Sequence, residues 1–488
     1  MSEDILLTVV SGKSKRTVSV SCGEVLLNVL QRNGYKISAE CGGNGKCGKC
    51  AVTVISKGKA EKTLSCRHKI LQNEEIVLSE ENGTGLTEFT GESKIKPGGT
   101  GFAAALDIGT TTLAFYIIDL EKGYVAAKKS VLNPQRAFGA DVISRIKYAS
   151  EGHTDELHNA VIGTVMAVLS EMAGQYAGGR VRLLMVTGNT TMLHLFAGIN
   201  PESMGHAPFD PVFKDIQRFD GKKFGLNVQE VILMPSVSAF VGSDIAAGAI
   251  AVDIKNGNNL LVDMGTNGEI MLCSRGRLFC TSTAAGPAFE GAGITCGTGG
   301  VAGAIDGIEC VDGKISYSTI GGESPVGICG SGLVQAVAAM LSLGVIDESG
   351  AFTSGHSFSI AENVFINEQD IRQFQLAKSA IMSGIMTLLK VSDTRTDEID
   401  NVFIAGGFGF YLNKESAIKV GLIPKEFKDK IKAAGNTAGL GAVMCAADCA
   451  RLIEAEKLCG ECSVTDLASN PLFTELFMDN MFFGDCDD

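Results

Sequence analysis

The sharpest chemical signal in the chain is four cysteines, Cys41, Cys47, Cys50 and Cys66. The segment CGGNGKCGKC spaces the first three as Cys-x5-Cys-x2-Cys, and the fourth follows after fifteen residues. Thiolates are the ligands of iron–sulfur clusters, and a 2Fe–2S cluster takes four. Gly42, Gly43, Gly45 and Gly48 leave the loop free to turn backbone N–H groups toward the sulfides. Zinc is the weaker reading. It favours two Cys-x2-Cys pairs, and only one stands here, with Cys66 alone. The run Gly43-x-Gly45-x-x-Gly48 matches a dinucleotide fingerprint, but it opens no helix after a strand in a βαβ unit and is set aside. Cys22 reads as a small core residue and His68 as a surface residue.

A second chemistry is written twice. FAAALDIGTTTLAFYIIDL and NLLVDMGTNGEIMLCS each run from an apolar strand through Asp-x-Gly-Thr into a turn and a further strand. Gly109 and Gly265 leave room for phosphate oxygens at the backbone. Thr110, Thr111, Thr266 and Asn267 offer N–H and side-chain donors to them. Asp107 and Asp263 can face Mg2+ through its water shell. Two such loops from opposite sides would clamp a triphosphate. In NVFIAGGFGFYLN a strand ends on Gly406-Gly407, where a flat ring or a phosphate can lie on the backbone. There is no G-x-x-x-x-G-K-[ST], so this is not a P-loop enzyme.

Elements must hold these groups in place. ILLTVV and RTVSVS predict a hairpin, EVLLNVLQRNGY a helix ending near Gly34, and CAVTVIS a strand directly after the cysteine loop. Residues 79–101 are poor in apolar side chains and read as a flexible linker, either a tether for a swinging carrier or a plain spacer. The two Asp-x-Gly-Thr passages lie 156 residues apart, which predicts two related halves facing each other. The domains expected are 1–80, a linker over 81–101, and 102–488 with halves of about 102–257 and 258–488. A net charge of −13 without a basic stripe excludes a nucleic-acid partner. No apolar run reaches spanning length, and the acids ahead of the first apolar stretch do not suit a signal peptide. A cytoplasmic protein with thiols rather than disulfides is expected.

The order strand, strand, helix, cysteine loop, strand resembles the plant-type and adrenodoxin-like ferredoxins over about residues 3 to 80. The x5 gap is closer to the adrenodoxin-like pattern. Residues 107–112, 263–268 and 404–408 resemble the two phosphate loops and the adenosine motif of the acetate kinase, sugar kinase, heat-shock chaperone and actin superfamily. NTAGLGAVMCAADCARLIEAE resembles its later connecting helix, with Gly439 and Gly441 at a close contact. The fold class implied is an α+β β-grasp 2Fe–2S ferredoxin domain followed by an α/β actin-like ATPase domain of two RNase H-like subdomains. That pairing resembles one family over nearly the whole chain, the ATP-dependent reductive activators of corrinoid proteins. NPQRAFGADVISRI, VTGNTTMLHLFAG, GPAFEGAGI, GICGSGLVQAVAAML and VTDLASNPLFTELFMDNMFF fit it too. Longer members carry a middle domain where this chain has only the linker.

The resemblance implies a task. Corrinoid methyltransferase systems work through cob(I)alamin, which oxidises to inactive cob(II)alamin. A plant-type cluster sits near about −400 mV, which is not low enough, and each ~59 mV of shortfall costs a tenfold factor for one electron. ATP would supply the difference, with a corrinoid protein and a low-potential electron donor as partners.

Several residues keep two readings. Glu290 either orients an attacking water or caps the turn at Gly291. Gly330 and Ser331 start an apolar helix, where the serine meets an anion or a ribose, or serves as an ordinary N-cap. Asp141 and Arg145 read as an i,i+4 pair, and Arg136 as a phosphate or solvent contact. Cys459, Cys462 and Cys486 are too loosely spaced for a second cluster without other support. The rival functions are activation of another low-potential metalloenzyme, a redox-regulated small-molecule kinase, and a nucleotide-sensing clamp without catalysis.

Overall fold

A computed structural model describes residues 5–11, 14–32, 35, 50–56, 59–78, 95–139, 141–311, 314–406 and 412–484. Cys41, Cys47, Gly407 and Cys486 lie outside the described residues.

The N-terminal part is one sheet, with β1 (Ile5–Ser11), β2 (Ser14–Val20), β3 (Ala51–Ser56), β4 (Lys59–Leu64) and β5 (Glu74–Leu78) in the order β2-β1-β5-β3-β4. Side chains alternate across a strand. In β1, Leu7 and Val9 are therefore fully buried while Leu6 is exposed. Helix α1 (Leu26–Arg32) lays Leu26, Val29 and Leu30 on the same face, and Cys50 and Cys66 belong to that core. The parallel β1–β5 pair beside the antiparallel β5–β3 pair gives the β-grasp expected. Cys22 stands in the turn beyond β2 and is exposed, not core, because the chain has already left the sheet.

The larger part repeats one topology. The first sheet contains β6 (Phe102–Ile108), β7 (Thr112–Asp119), β8 (Tyr124–Leu132), β9 (Leu183–Gly188), β10 (Gln217–Asp220) and β11 (Glu230–Leu233). The second contains β12 (Asn259–Met264), β13 (Gly268–Ser274), β14 (Arg277–Thr283), then, beyond a separate strand β15 (Ala304–Val311), β16 (Asn401–Ala405), β17 (Ile431–Gly435) and β18 (Ser463–Val464). In both, an antiparallel three-strand meander is extended by two parallel strands, as β8-β7-β6-β9-β11 and as β14-β13-β12-β16-β17. The outer face of the first sheet is covered by α2 (Val142–Tyr148) and α3 (Thr154–Tyr176).

Between the sheets run α4 (Ser243–Val252) and, from the far end of the chain, a helix over Thr437–Ala447. The outer face of the second sheet takes α5 (Gly330–Ser342) and α6 (Glu368–Val391), which makes the Thr437–Ala447 helix α7. Helices α4 and α7 meet backbone to backbone. A Cβ on Gly441 would lie 1.9 Å from the Ala247 carbonyl oxygen, and one on Gly439 would lie 2.4 Å from the Tyr116 hydroxyl. That is the close contact expected of these glycines.

The linker is shorter than expected. Ile95 is buried in the core that β6 shares with α4, and Gly98 N–H donates to the Leu120 carbonyl at 3.3 Å. One isoleucine is enough to dock 95–101 on the first sheet, so the flexible reading cannot extend over those residues.

Candidate functional site

The cysteine site is fixed from two sides. Cys50 opens β3 and Cys66 follows β4, and the Ser65 N–H donates to the Cys50 carbonyl at 2.9 Å. Their sulfurs lie 3.2 Å apart in the core. A tetrahedral ion with metal–sulfur bonds of about 2.3 Å needs two sulfurs roughly 3.7 Å apart, so a small opening lets this pair share one metal. The Ser65 hydroxyl, fully buried between them in sequence, has no hydrogen-bond partner among the described residues. A buried thiol pair at this separation suits an iron–sulfur cluster. His68 is not the surface residue expected. It sits half-buried, with Nε2 2.7 Å from the carboxylate of buried Glu74.

The two Asp-x-Gly-Thr turns end β6 and β12, the equivalent central strands of the two sheets. Each closes on itself, Gly109 N–H to the Thr112 carbonyl at 2.9 Å and Gly265 N–H to the Asn267 carbonyl at 3.1 Å. One carboxylate spans both: Thr111 Oγ1 donates to Glu290 Oε2 at 2.9 Å, and Thr266 Oγ1 donates to Glu290 Oε1 at 3.0 Å. Gly406 follows β16 with φ +90°, and a Cβ there would lie 2.9 Å from the Met264 carbonyl oxygen and 3.1 Å from Asp263 Oδ1. The glycine therefore brings the end of β16 against the second loop.

Three braces went unrecognised in the sequence. Arg145, fully buried, donates from Nη2 to the Thr110 carbonyl at 2.6 Å and from Nε to the Gly139 carbonyl at 3.0 Å. Asp141 caps α2 through Ser144 N–H at 2.8 Å, so the expected i,i+4 pair is a cap and a loop support. Asn133 Nδ2 donates to the Gly109 carbonyl at 2.8 Å. Asn436, the cap of α7, donates to Asp107 Oδ2 at 2.8 Å. Arg136 is exposed, which fits both of its readings.

The site is crowded with acid. Burial raises Asp107 to about 7, with Asn436 opposing and Asp244 adding. Burial also raises Asp263 to about 7, helped by Asp244, Asp107 and Glu290. Glu269 on β13 is held well above the carboxylate range by burial and by Asp244 and Asp263, and burial raises Asp244 as well. Asp244 and Glu269 were missed, although an acid opening SDIAAGAIAV and another inside a fully buried strand were signals. Among the described residues no three His, Cys, Asp or Glu side chains close around a metal ion.

Gly330 and Ser331 are buried at the start of α5. The cap of that helix is Cys329, and the Ser331 hydroxyl lies 3.2 Å from the Cys329 thiol, so the N-cap reading of Ser331 falls. Gly332 explains the motif's second glycine, since a Cβ there would lie 2.2 Å from the Ile305 carbonyl oxygen on β15. Cys462 faces Cys280 on β14, and Cys459 donates to the Pro235 carbonyl at 3.5 Å, both within the core contacts of the two sheets.

Comparison with known proteins bears on the whole chain. A family model described as a 2Fe-2S iron-sulfur cluster binding domain matches residues 9–71. Models described as the RACo middle region and as the C-terminal domain of RACo, the ASKHA domain, match residues 102–257 and 257–488. The model named for the middle thus covers the first sheet, which begins after the linker. The corrinoid activation enzyme RamQ of Eubacterium limosum is 29% identical, with 96% of this chain and 98% of that protein covered. The [Co(II) methylated amine-specific corrinoid protein] reductase of Methanosarcina barkeri is 28% identical over 69% of this chain and 68% of its own length. A solved structure titled reductive activator for corrinoid,iron-sulfur protein superposes with a TM-score of 0.72 at 26% identity, covering 98% of both chains.

Proposed function

Because the chain belongs to the family of ATP-dependent reductive activators of corrinoid proteins, we propose that it reduces an inactive cob(II)alamin-bearing protein by one electron to the active cob(I)alamin state at the expense of ATP. The observation that carries the reading is the union, in one chain, of the buried Cys50–Cys66 pair with a cleft whose two loops grip one carboxylate.

Held by Cys41, Cys47, Cys50 and Cys66, a 2Fe–2S cluster supplies one electron at a time. The chain's own residues do the rest. Cys50 and Cys66 set the site against the apolar core of the N-terminal sheet. In the clamp, whose halves we divide near residue 257, Gly109 and Gly265 admit phosphate oxygens. Thr110, Thr111, Thr266 and Asn267 donate to them. Asp107 and Asp263 would hold Mg2+, whose charge would favour their ionised forms against the burial that opposes them. Gly406 and Gly407 seat the adenine ring, and Gly330 with Ser331 the ribose side. Glu290 orients the attacking water, so that water adds to the terminal phosphorus as ADP leaves. Hydrolysis energy then changes how the activator docks on its corrinoid protein and makes the uphill transfer possible. An external low-potential donor reloads the carrier. We place the reaction in the cytoplasm, in keeping with the free thiols of the described cysteines.

The test is spectroscopic. Reduced chain is mixed with a cob(II)alamin protein, and cob(I)alamin is followed with ATP, without ATP, and with an Asp263→Ala chain. Reduction is expected only in the first case.

A further inference from the structure

Two of the hydroxyls that the loops can offer to phosphate, those of Thr111 and Thr266, are already engaged. Glu290 ends the short turn Pro287–Glu290, whose Ala288 and Phe289 are buried in the second-half core. Gly291 follows with φ +82°, and a Cβ there would lie 2.3 Å from the Thr298 carbonyl oxygen, so the turn is pinned on its far side. This rigid mount presents one carboxylate oxygen to Thr111 of the first loop and the other to Thr266 of the second, at 2.9 and 3.0 Å. A carboxylate accepting one hydroxyl from each jaw occupies two donors that a phosphate bound between the loops would need. A turn cap needs no such partners, and a residue serving only to orient water needs no bond to either loop.

We propose that Glu290 is a built-in competitor for the terminal phosphate, and that this competition makes the cleft discriminate ATP from ADP. Resting on the ATP reading above, the inference gives Glu290 a role before hydrolysis as well as during it. A phosphate reaching both loops must take Thr111 and Thr266 from the carboxylate and tolerate its charge. A nucleotide that stops one phosphate short leaves the clasp closed. Exchange of the clasp is then the event by which the two halves register ATP.

Nucleotide affinity separates this from a structural role. Glu290→Ala removes the competitor, and Glu290→Gln keeps the shape while removing the charge. With a charged hydrogen bond worth about 1.5–3 kcal/mol, Glu290→Ala should bind ATP about tenfold more tightly, roughly the effect of 1.4 kcal/mol. ADP affinity should change by less than about twofold. Glu290→Gln should shift ATP in the same direction by a smaller factor, which covers the case in which the alanine chain does not fold. Variants that bind ATP no more tightly than the parent, or that tighten on ATP and ADP equally, overturn the proposal. A parent chain that binds neither nucleotide overturns the ATP reading, and this inference with it.

Discussion

The two phosphate loops share a sequence pattern and differ in what holds them. The first is braced from outside: Asn133 holds the Gly109 carbonyl, Arg145 the Thr110 carbonyl, and Asn436 the Asp107 carboxylate. The second leans on Glu290 and on the close approach of Gly406, and no described side chain from elsewhere donates to its carbonyls. The glycines differ in the same sense. A Cβ on Gly109 would lie 2.8 Å from the Thr112 carbonyl oxygen, whereas one on Gly265 would meet nothing closer than 3.6 Å. The first loop is a fixed seat, and the second is the jaw with room to adjust. In a clamp that must register nucleotide, this asymmetry puts motion on one side.

The largest expected effect is at the brace. Arg145→Ala would leave the Thr110 and Gly139 carbonyls without their donor and a buried hole behind them. It should destabilise the folded chain by about 3 kcal/mol or more. Asn267→Ala, on the freer loop, removes one hydrogen bond to Glu269 and should cost about 1 kcal/mol. Thermal melts of the two variants test the contrast, and equal losses would end it.

Next in size is the glycine pair. Gly109→Ala forces the first turn off its geometry and should lower ATP turnover about 100-fold, the scale of a misplaced reacting group. Gly265→Ala should stay within about threefold, since its Cβ finds ordinary contact distance. Steady-state ATPase assays decide it. A loss at Gly265 as large as at Gly109 would make the second loop as rigid as the first.

The third contrast is electrostatic. Asp107 and Asp263 stand at about 7 in the folded chain against an ordinary 3.8. Between those values the folded chain holds more protons than the unfolded one, so stability falls as pH rises and the loss is complete above about 7. The melting temperature of the nucleotide-free chain should therefore drop by a few degrees from pH 5 to pH 8. Asp107→Asn should flatten that slope. A melting temperature that rises over the same range contradicts the buried-acid reading.

Much of this was legible in residue order, because cysteine spacing and the Asp-x-Gly-Thr repeat are local patterns. The hairpin, α1, β3 and the equivalent strands β6 and β12 followed from apolar runs between turn residues. What stayed hidden was contact across the fold. Arg145 looked like the partner of Asp141 four residues away, yet it turns to Thr110, 35 residues back in the chain. Asn436 looked like the start of a helix, and nothing near it in sequence announces Asp107. Ile95 escaped notice because one apolar side chain does not alter the composition of a linker, although it can dock one. Periodicity tells which side chains turn inward and leaves their partners to be found in space.

The central claim is that the carrier and the clamp serve one electron transfer. Its most direct test is the absorbance of cob(I)alamin formed from a cob(II)alamin protein by pre-reduced chain, titrated with ATP. The account predicts growth of the cob(I)alamin band that requires ATP, consumes ATP as it proceeds and disappears in Asp263→Ala. Equal reduction with and without nucleotide, or undiminished reduction by Asp263→Ala, would contradict it.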